Sequence, residues 1–229
     1  MSNEGLTIKP IAFIETDFKE KFGIPRQSGR VEALKGRIVF NPEYRNPDAL
    51  RGLEEFSHIW LIFDFSKSHR KQWCPTVRPP RLGGNQKIGV FASRSPFRPN
   101  PLGLSVVALE NIEKTEKEGY VLNVSGVDLL DGTPIYDIKP YIPYADVKLD
   151  AKGSYAEELK DYRLEVVFPE NLLVLIPAEK QKALLDCLAE DPRPSYQDEG
   201  REYKMCFAGF DISFKVSDSV LTVSEVIKI

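Results

Sequence analysis

Short apolar runs separated by turn residues recur through the first two thirds of this chain, and a polypeptide patterned this way buries its side chains by pairing the runs into a sheet or barrel. The runs are Ile8 to Ile14, Val31 to Phe40, Ile59 to Phe65, Lys87 to Ala92, Leu102 to Ile112 and Tyr120 to Leu130. Ile59 to Phe65 predicts a central strand buried on both faces or nearly so. The charged stretch Glu113 to Gly119 predicts the tip of a hairpin. Asn46 to Phe56 predicts a short helix, because Leu50, Leu53 and Phe56 repeat at a spacing of three.

The strand rhythm stops from Tyr144 to Tyr162, where charge rises, and this segment reads as a linker. Leu164 to Ile176 is mixed in pattern. Pro177 then opens a helix through Ala189 that carries Ala183, Leu184, Cys187 and Leu188 on one face, and Asp191-Pro192-Arg193-Pro194 stops it. Lys204 to Phe210, Asp211 to Val216 and Val220 to Ile227 read as the closing strands of a small sheet. The expected organisation is mainly β with some α: residues 1–146, then a small α+β unit at 147–229.

With 229 residues, of which 42% are hydrophobic, the chain can bury a sizeable core. No apolar run approaches the roughly 18 residues of a membrane span, and the start Met1-Ser2-Asn3-Glu4-Gly5 lacks the basic-then-apolar layout of an export signal. A cytoplasmic protein is expected. Cys74, Cys187 and Cys206 are odd in number and widely spaced, and there are two histidines, which argues against a disulfide framework or a structural metal. Cys74 reads as a core residue, and His58 as a hydrogen-bonded core histidine. His69 reads equally as a surface residue or a substrate contact.

The net charge of −3 conceals a local asymmetry. Residues 66–100 hold eight basic residues (Lys67, Arg70, Lys71, Arg78, Arg81, Lys87, Arg94, Arg98) and no Asp or Glu, with aromatics and glycines interleaved, a pattern that favours an anionic ligand over a plain solvated face. Five prolines and four glycines stiffen Arg78 to Asn85 and Gly89 to Ser105. Such loops present guanidinium forks and free backbone amides to an anion, or are simply structural with solvated arginines; composition alone divides these readings evenly. A second cluster, Val127 to Tyr141, gathers three carboxylates, a lysine and two tyrosines around the turn signal Asp131-Gly132. It reads as a plain hairpin turn, or as a set able to bind a ribose diol or accept a proton from an amine. No nucleophile elbow, P-loop, dinucleotide fingerprint or zincin helix motif is present.

Ile24-Pro25-Arg26-Gln27, Gly52 to Trp60, Arg78 to Asn85, Arg94 to Ser105 and Asp131 to Tyr144, occurring in that order, resemble the TrmO family, also called YaeB-like or TsaA-like proteins. Asp191 to Tyr196 is similar to the C-terminal domain of its bacterial branch, so the likeness covers nearly the whole chain. The resemblance implies a single-sheet β-barrel methyltransferase that uses S-adenosylmethionine. Its implied target is N6 of threonylcarbamoyladenosine, next to the anticodon of threonine tRNA, and it implies a homodimer with the cofactor near the subunit interface. Carried over residue by residue, it places Pro25, Arg26, Gln27, Arg94, Leu104, Asp131, Gly132, Thr133 and Pro134 at the cofactor. Ser66 and Lys67 stand where family members often carry a His-Gln pair. Asp131 or Asp137 is expected to accept the N6 proton, with Tyr141 orienting it, and Arg70, Lys71, Arg78, Arg81 and Arg98 to meet tRNA phosphates, with Trp73, His69 and Phe97 as stacking surfaces. Two rival readings are a non-catalytic RNA-binding or S-adenosylmethionine-sensing module and a hydrolase of a phosphorylated small molecule.

Overall fold

The computed structural model describes residues 5–79, 86–193 and 201–229. Six antiparallel strands close into a barrel: β1 (Ala12–Thr16), β2 (Lys35–Phe40), β3 (His58–Asp64), β6 (Leu102–Thr115), β7 (Gly119–Ser125) and β8 (Thr133–Pro140), in the order β1-β2-β7-β6-β3-β8. Closure comes from β8, which pairs with β3 on one side and β1 on the other and so leaves the sheet without a free edge. Alternation drives Ile14, Ile38, Ile59, Leu61, Leu122 and Ile135 to the interior at zero exposure. Full burial of each such side chain stabilises the fold by about 1.5–3 kcal/mol.

The central strand β3 differs from its expected two-sided burial. Ile59, Leu61 and Phe63 face inward, but His58 is exposed and Trp60 and Ile62 are half-buried, because the outer face of a barrel meets solvent. His58 is therefore a surface histidine, its Nδ1 lying 2.9 Å from Ser57 Oγ. Cys74, expected in the core, is likewise exposed, while Cys187 and Cys206 are buried.

Asn46 to Phe56 forms two 3-10 turns, Pro47–Leu50 and Leu53–Glu55, divided by Gly52 at φ 83°. Asn46 caps the first by accepting the Asp48 N–H. In the run from Lys87 to Ala92 only β5 (Ile88–Gly89) is strand; it pairs with β4 (Thr76–Val77) and passes into a 3-10 turn at Val90–Ala92. The Tyr120 to Leu130 strand ends at Ser125, where Gly126 takes φ 73°.

After β8 come the short helix α1 (Pro143–Asp146), β9 (Glu165–Val167), α2 (Glu170–Leu173), α3 (Ala178–Ala189), β10 (Glu202–Phe207), β11 (Phe210–Ser217) and β12 (Val220–Lys228). The four strands form a sheet in the order β10-β11-β12-β9, with β9 parallel to β12. Ala183, Leu184, Cys187 and Leu188 are the buried face of α3, as their spacing predicts. This sheet and the barrel share a core: Phe18 meets Phe207 edge-on at 5.2 Å, and Phe22 stacks against Tyr203 and Phe214. Gly23 sits at this junction with φ 95°, and a Cβ there would lie 2.1 Å from Met205 Sδ.

Candidate active site

A cleft of about 750 Å³ opens at one end of the barrel and is walled on its far side by the end of α3. Five segments converge on it: the loop after β1 (Lys21 to Gln27), the end of β3 (Phe63 to Ser68), the loop from Ser93 to Arg98 leading into the start of β6, the turn between β7 and β8 (Asp128 to Leu130), and Cys187 with Glu190 to Pro192. Antiparallel pairing sets Asp64 opposite Leu102 and Ile62 opposite Leu104, so the end of β3 and the start of β6 form one continuous wall. Gly103 is needed in that wall, because a Cβ there would fall 2.2 Å from the Phe63 ring.

Of the residues expected at the cofactor, Pro25, Arg26, Gln27, Ser66, Lys67, Arg94, Leu104 and Thr133 line this cleft. Arg94 donates to the Gln27 side-chain oxygen and stays exposed. Arg26 donates to the Asp191 and Arg193 carbonyls, at 3.4 and 2.9 Å, and so ties the loop after β1 to the end of α3. Lys21 Nζ donates to the Lys67 carbonyl at 2.6 Å and to Ser68 Oγ at 2.9 Å, which holds the end of β3.

Asp131, Gly132 and Pro134 stand beside the lining residues and shape the turn. Asp131 accepts the Thr16 N–H on Oδ1 at 2.9 Å and pairs with Lys19 through Oδ2 at 2.6 Å, and the Gly132 N–H donates to the Ile14 carbonyl. Asp137 lies further along β8, half exposed, paired with Lys139 at 3.2 Å and accepting the Ile138 N–H. Tyr141 packs at 5.9 Å from Trp60, which itself lines the cleft and donates its indole N–H to Asp146.

The basic stretch continues from the same rim. The Arg70 guanidinium lies 3.5 Å over the Phe97 ring, Trp73 and Phe91 stack at 6.3 Å, and Lys71 and Arg78 are exposed. Arg98 lines the cleft and donates to the Ser93 and Ser95 carbonyls, so it braces its own loop. Arg81 falls outside the described residues.

Three features of the site were given no individual role from the sequence. Asp64, buried at the end of β3, lies 2.6 Å from His69 Nε2 and accepts from the Tyr136 hydroxyl; burial, then the Asp64 charge and hydrogen bond, push the Tyr136 phenol up. Asp128 has an Oδ1 that is sealed from solvent and lacks a hydrogen-bond partner among the described residues. Burial pushes its carboxyl up to about 6 against the opposing effects of Ser105, the backbone amides of Asp128 and Ser28, and the Arg94 charge. A lone carboxylate inside an apolar run was the available signal for both. The third is the wall from α3: burial works to raise the Asp191 carboxyl, but hydrogen bonds from Arg193 and Tyr162 and the Arg193 charge hold it below the usual range. No cluster of three or more His, Cys, Asp or Glu able to hold a metal occurs among the described residues, nor does a helix long and apolar enough to cross a membrane.

Residues 13–147 match the tRNA-methyltransferase O N-terminal domain, and residues 161–229 match the TrmO C-terminal domain. The chain belongs to the tRNA-methyltransferase O family. It is 42% identical over 218 residues to the tRNA (adenine(37)-N6)-methyltransferase of Escherichia coli K12, covering 91% of this chain and 92% of that protein. A putative S-adenosylmethionine-dependent methyltransferase of Pseudomonas aeruginosa is 40% identical, with 90% of each chain covered. The crystal structure of TrmO from Pseudomonas aeruginosa superposes with a TM-score of 0.80 at 34% identity, over 99% of this chain and 98% of that one. The six-stranded barrel and small α+β region of this chain agree with that likeness.

Proposed function

We propose that this chain is an S-adenosylmethionine-dependent methyltransferase that modifies N6 of threonylcarbamoyladenosine at position 37 of threonine tRNA, next to the anticodon, and that it works as a cytoplasmic homodimer. One observation carries the reading: a single cleft joins aromatic and aliphatic walls (Phe22, Trp60, Phe63, Leu102, Leu104) to a guanidinium, Arg94, on the loop that also bears the basic and aromatic rim. S-adenosylmethionine supplies an electrophilic methyl group on a sulfonium that departs as a neutral thioether. The flat and apolar walls suit a purine, and Arg94 offers a planar fork for a carboxylate. Leu102 and Leu104, 39% and 55% exposed where they line the open side of the cleft, suit coverage by a second copy at its rim.

The N6 nitrogen loses a proton in the reaction, and its carbamoyl group delocalises its lone pair, so an acceptor assists attack. Asp131, already engaged through both oxygens by Thr16 and Lys19, is set to position the turn that lines the cleft. Asp137 is engaged with Lys139. His69, on the segment after β3, is a third candidate: Asp64 lies 2.6 Å from its Nε2, which leaves Nδ1 as the ring nitrogen able to accept a proton.

The test is methyl transfer from labelled S-adenosylmethionine to threonine tRNA with and without the threonylcarbamoyl group, read by nucleoside mass spectrometry. A new N6-methyl on the modified tRNA alone is expected; cofactor binding without incorporation would instead favour an RNA-binding or sensing role. In the same assay His69→Ala should lower kcat at least tenfold with little change in KM, about the lower end of general-base contributions. If Asp131→Asn removes turnover while His69→Ala does not, the proton goes to Asp131.

A further inference from the structure

Two large aromatic rings face solvent beside the basic segment. Trp73 is 52% exposed and Phe91 73%, and they stack with centroids 6.3 Å apart and planes 27° from parallel. Both are held on one frame. Val90, the buried neighbour of Phe91, donates its N–H to the Pro75 carbonyl at 2.9 Å, and Thr76 pairs with Gly89 across β4 and β5. Ser93 closes the turn that carries Phe91 by donating its N–H and its hydroxyl to the Val90 carbonyl. Phe97, by contrast, already has the Arg70 guanidinium over its ring. Arg98 joins the pair to the cleft, since it lines the cleft and stands 6.0 Å from the Phe91 ring. Contiguous apolar surface held open to water in this way marks an interaction site.

We propose that Phe91, paired with Trp73, is a stacking platform for the RNA nucleotide adjoining the target adenine. This rests on the reading of the cleft as the site of methyl transfer, and it gives Phe91 a part in that site. A base must leave its stack before its N6 can reach a methyl donor inside a cleft, and its neighbour in the strand then loses a stacking partner. A fixed ring at the rim replaces that partner. Every base has a π-face, so the platform holds the strand without reading the neighbour's identity. The charge around the pair favours RNA as the occupant: residues 66–100 carry eight basic residues and no acid, which suits phosphates on either side of a stacked base. Two copies of the chain meeting through this face would set one basic segment against another, an arrangement that like-charge repulsion opposes.

The experiment measures the affinity of the full chain for a fluorescent threonine-tRNA anticodon stem-loop bearing the threonylcarbamoyl group, by anisotropy over a range of salt, with methyl transfer to the same RNA in parallel. Phe91→Ala should weaken binding about fivefold to a hundredfold, the range of one lost base–aromatic contact. The slope of log affinity against log salt should stay the same, because no phosphate contact is lost. Phe91→Leu, which keeps apolar area but has no ring face, should lose nearly as much, and Phe91→Tyr should bind like the unaltered protein. Two further stem-loops carry an abasic residue on one or the other side of the target. One of them should bind the unaltered protein as weakly as the intact loop binds Phe91→Ala, and on that loop Phe91→Ala should cost nothing more. An equal cost of Phe91→Ala on all three loops, or no cost on any, overturns the platform while methyl transfer by the unaltered protein leaves the function standing. A fall from dimer to monomer mass for Phe91→Ala in sedimentation velocity assigns the face to a second copy and likewise overturns it. Should the unaltered protein neither bind nor methylate the RNA, the functional reading falls and the platform with it. If the variants do not fold, the unaltered protein still decides, because equal affinity for the intact loop and both abasic loops is incompatible with the platform.

Discussion

Asp128 leaves a mark on stability. Its carboxyl is raised from 3.8 to about 6 in the folded chain, chiefly by burial, so the native state holds a proton there over a range where the unfolded state has released it. Stability from this group is greatest at low pH, falls as pH rises from about 4 to 6, and is at its minimum above the folded value. Asp128→Asn should therefore be more stable than the unaltered protein at pH 7.5, by up to about 3 kcal/mol for a shift of roughly two units, with the difference closing near pH 4. Urea melts at the two pH values test this, and a difference that does not change with pH would refute it. Which carboxylate of the Val127 to Tyr141 cluster meets the cleft could not be read from spacing. The choice is made by Gly126, which turns the chain out of β7, and by Asp131, which fastens the next turn to Thr16. The pairing of His69 with Asp64 was equally hidden, since it depends on the chain folding back after β3.

At the scale of elements, the basic and aromatic rim makes the clearest prediction. Binding of tRNA should weaken steeply with salt, and replacing Arg70 and Lys71 together by alanine should reduce the slope of log affinity against log salt by roughly 1.4 to 1.8, as two lost phosphate contacts require. Affinity that is flat in salt would remove these residues from the RNA surface. The charge run was legible because eight basic residues with no intervening acid stand out in any sequence. The repeat at Leu50, Leu53 and Phe56 was legible too, but its period of three belongs to 3-10 geometry, and Gly52 divides it. Strand β8 escaped notice because Pro134 and Pro140 and a turn signal at Asp131-Gly132 mask its alternation, and an irregularity opposite Ile62 and Phe63 breaks its register.

Across the whole molecule, the barrel and the C-terminal sheet are joined by apolar contact and by ion pairs. Asp17 meets Lys180 at 2.6 Å, and Arg30 meets Glu190 at 2.9 Å. The chain should unfold in one transition, and Phe18→Ala, which removes a fully buried ring set against Phe207, should cost about 3–5 kcal/mol. Urea unfolding followed by near-ultraviolet circular dichroism and tryptophan fluorescence tests both points; two separate transitions would show independent units. The strand pattern announced the barrel's ingredients, but the docking depends on Phe18, Phe22 and Met205 meeting across more than 180 residues of chain, a contact no local pattern encodes. Gly103 has a consequence for how such a cleft can diversify. Any larger residue there strikes the Phe63 ring, and shrinking Phe63 to make room opens a hole in the barrel interior. Neither change is tolerable alone, so a lineage altering one residue at a time meets a valley at this wall, and new ligand preferences arise more readily from the loops and the end of α3 than from the strands.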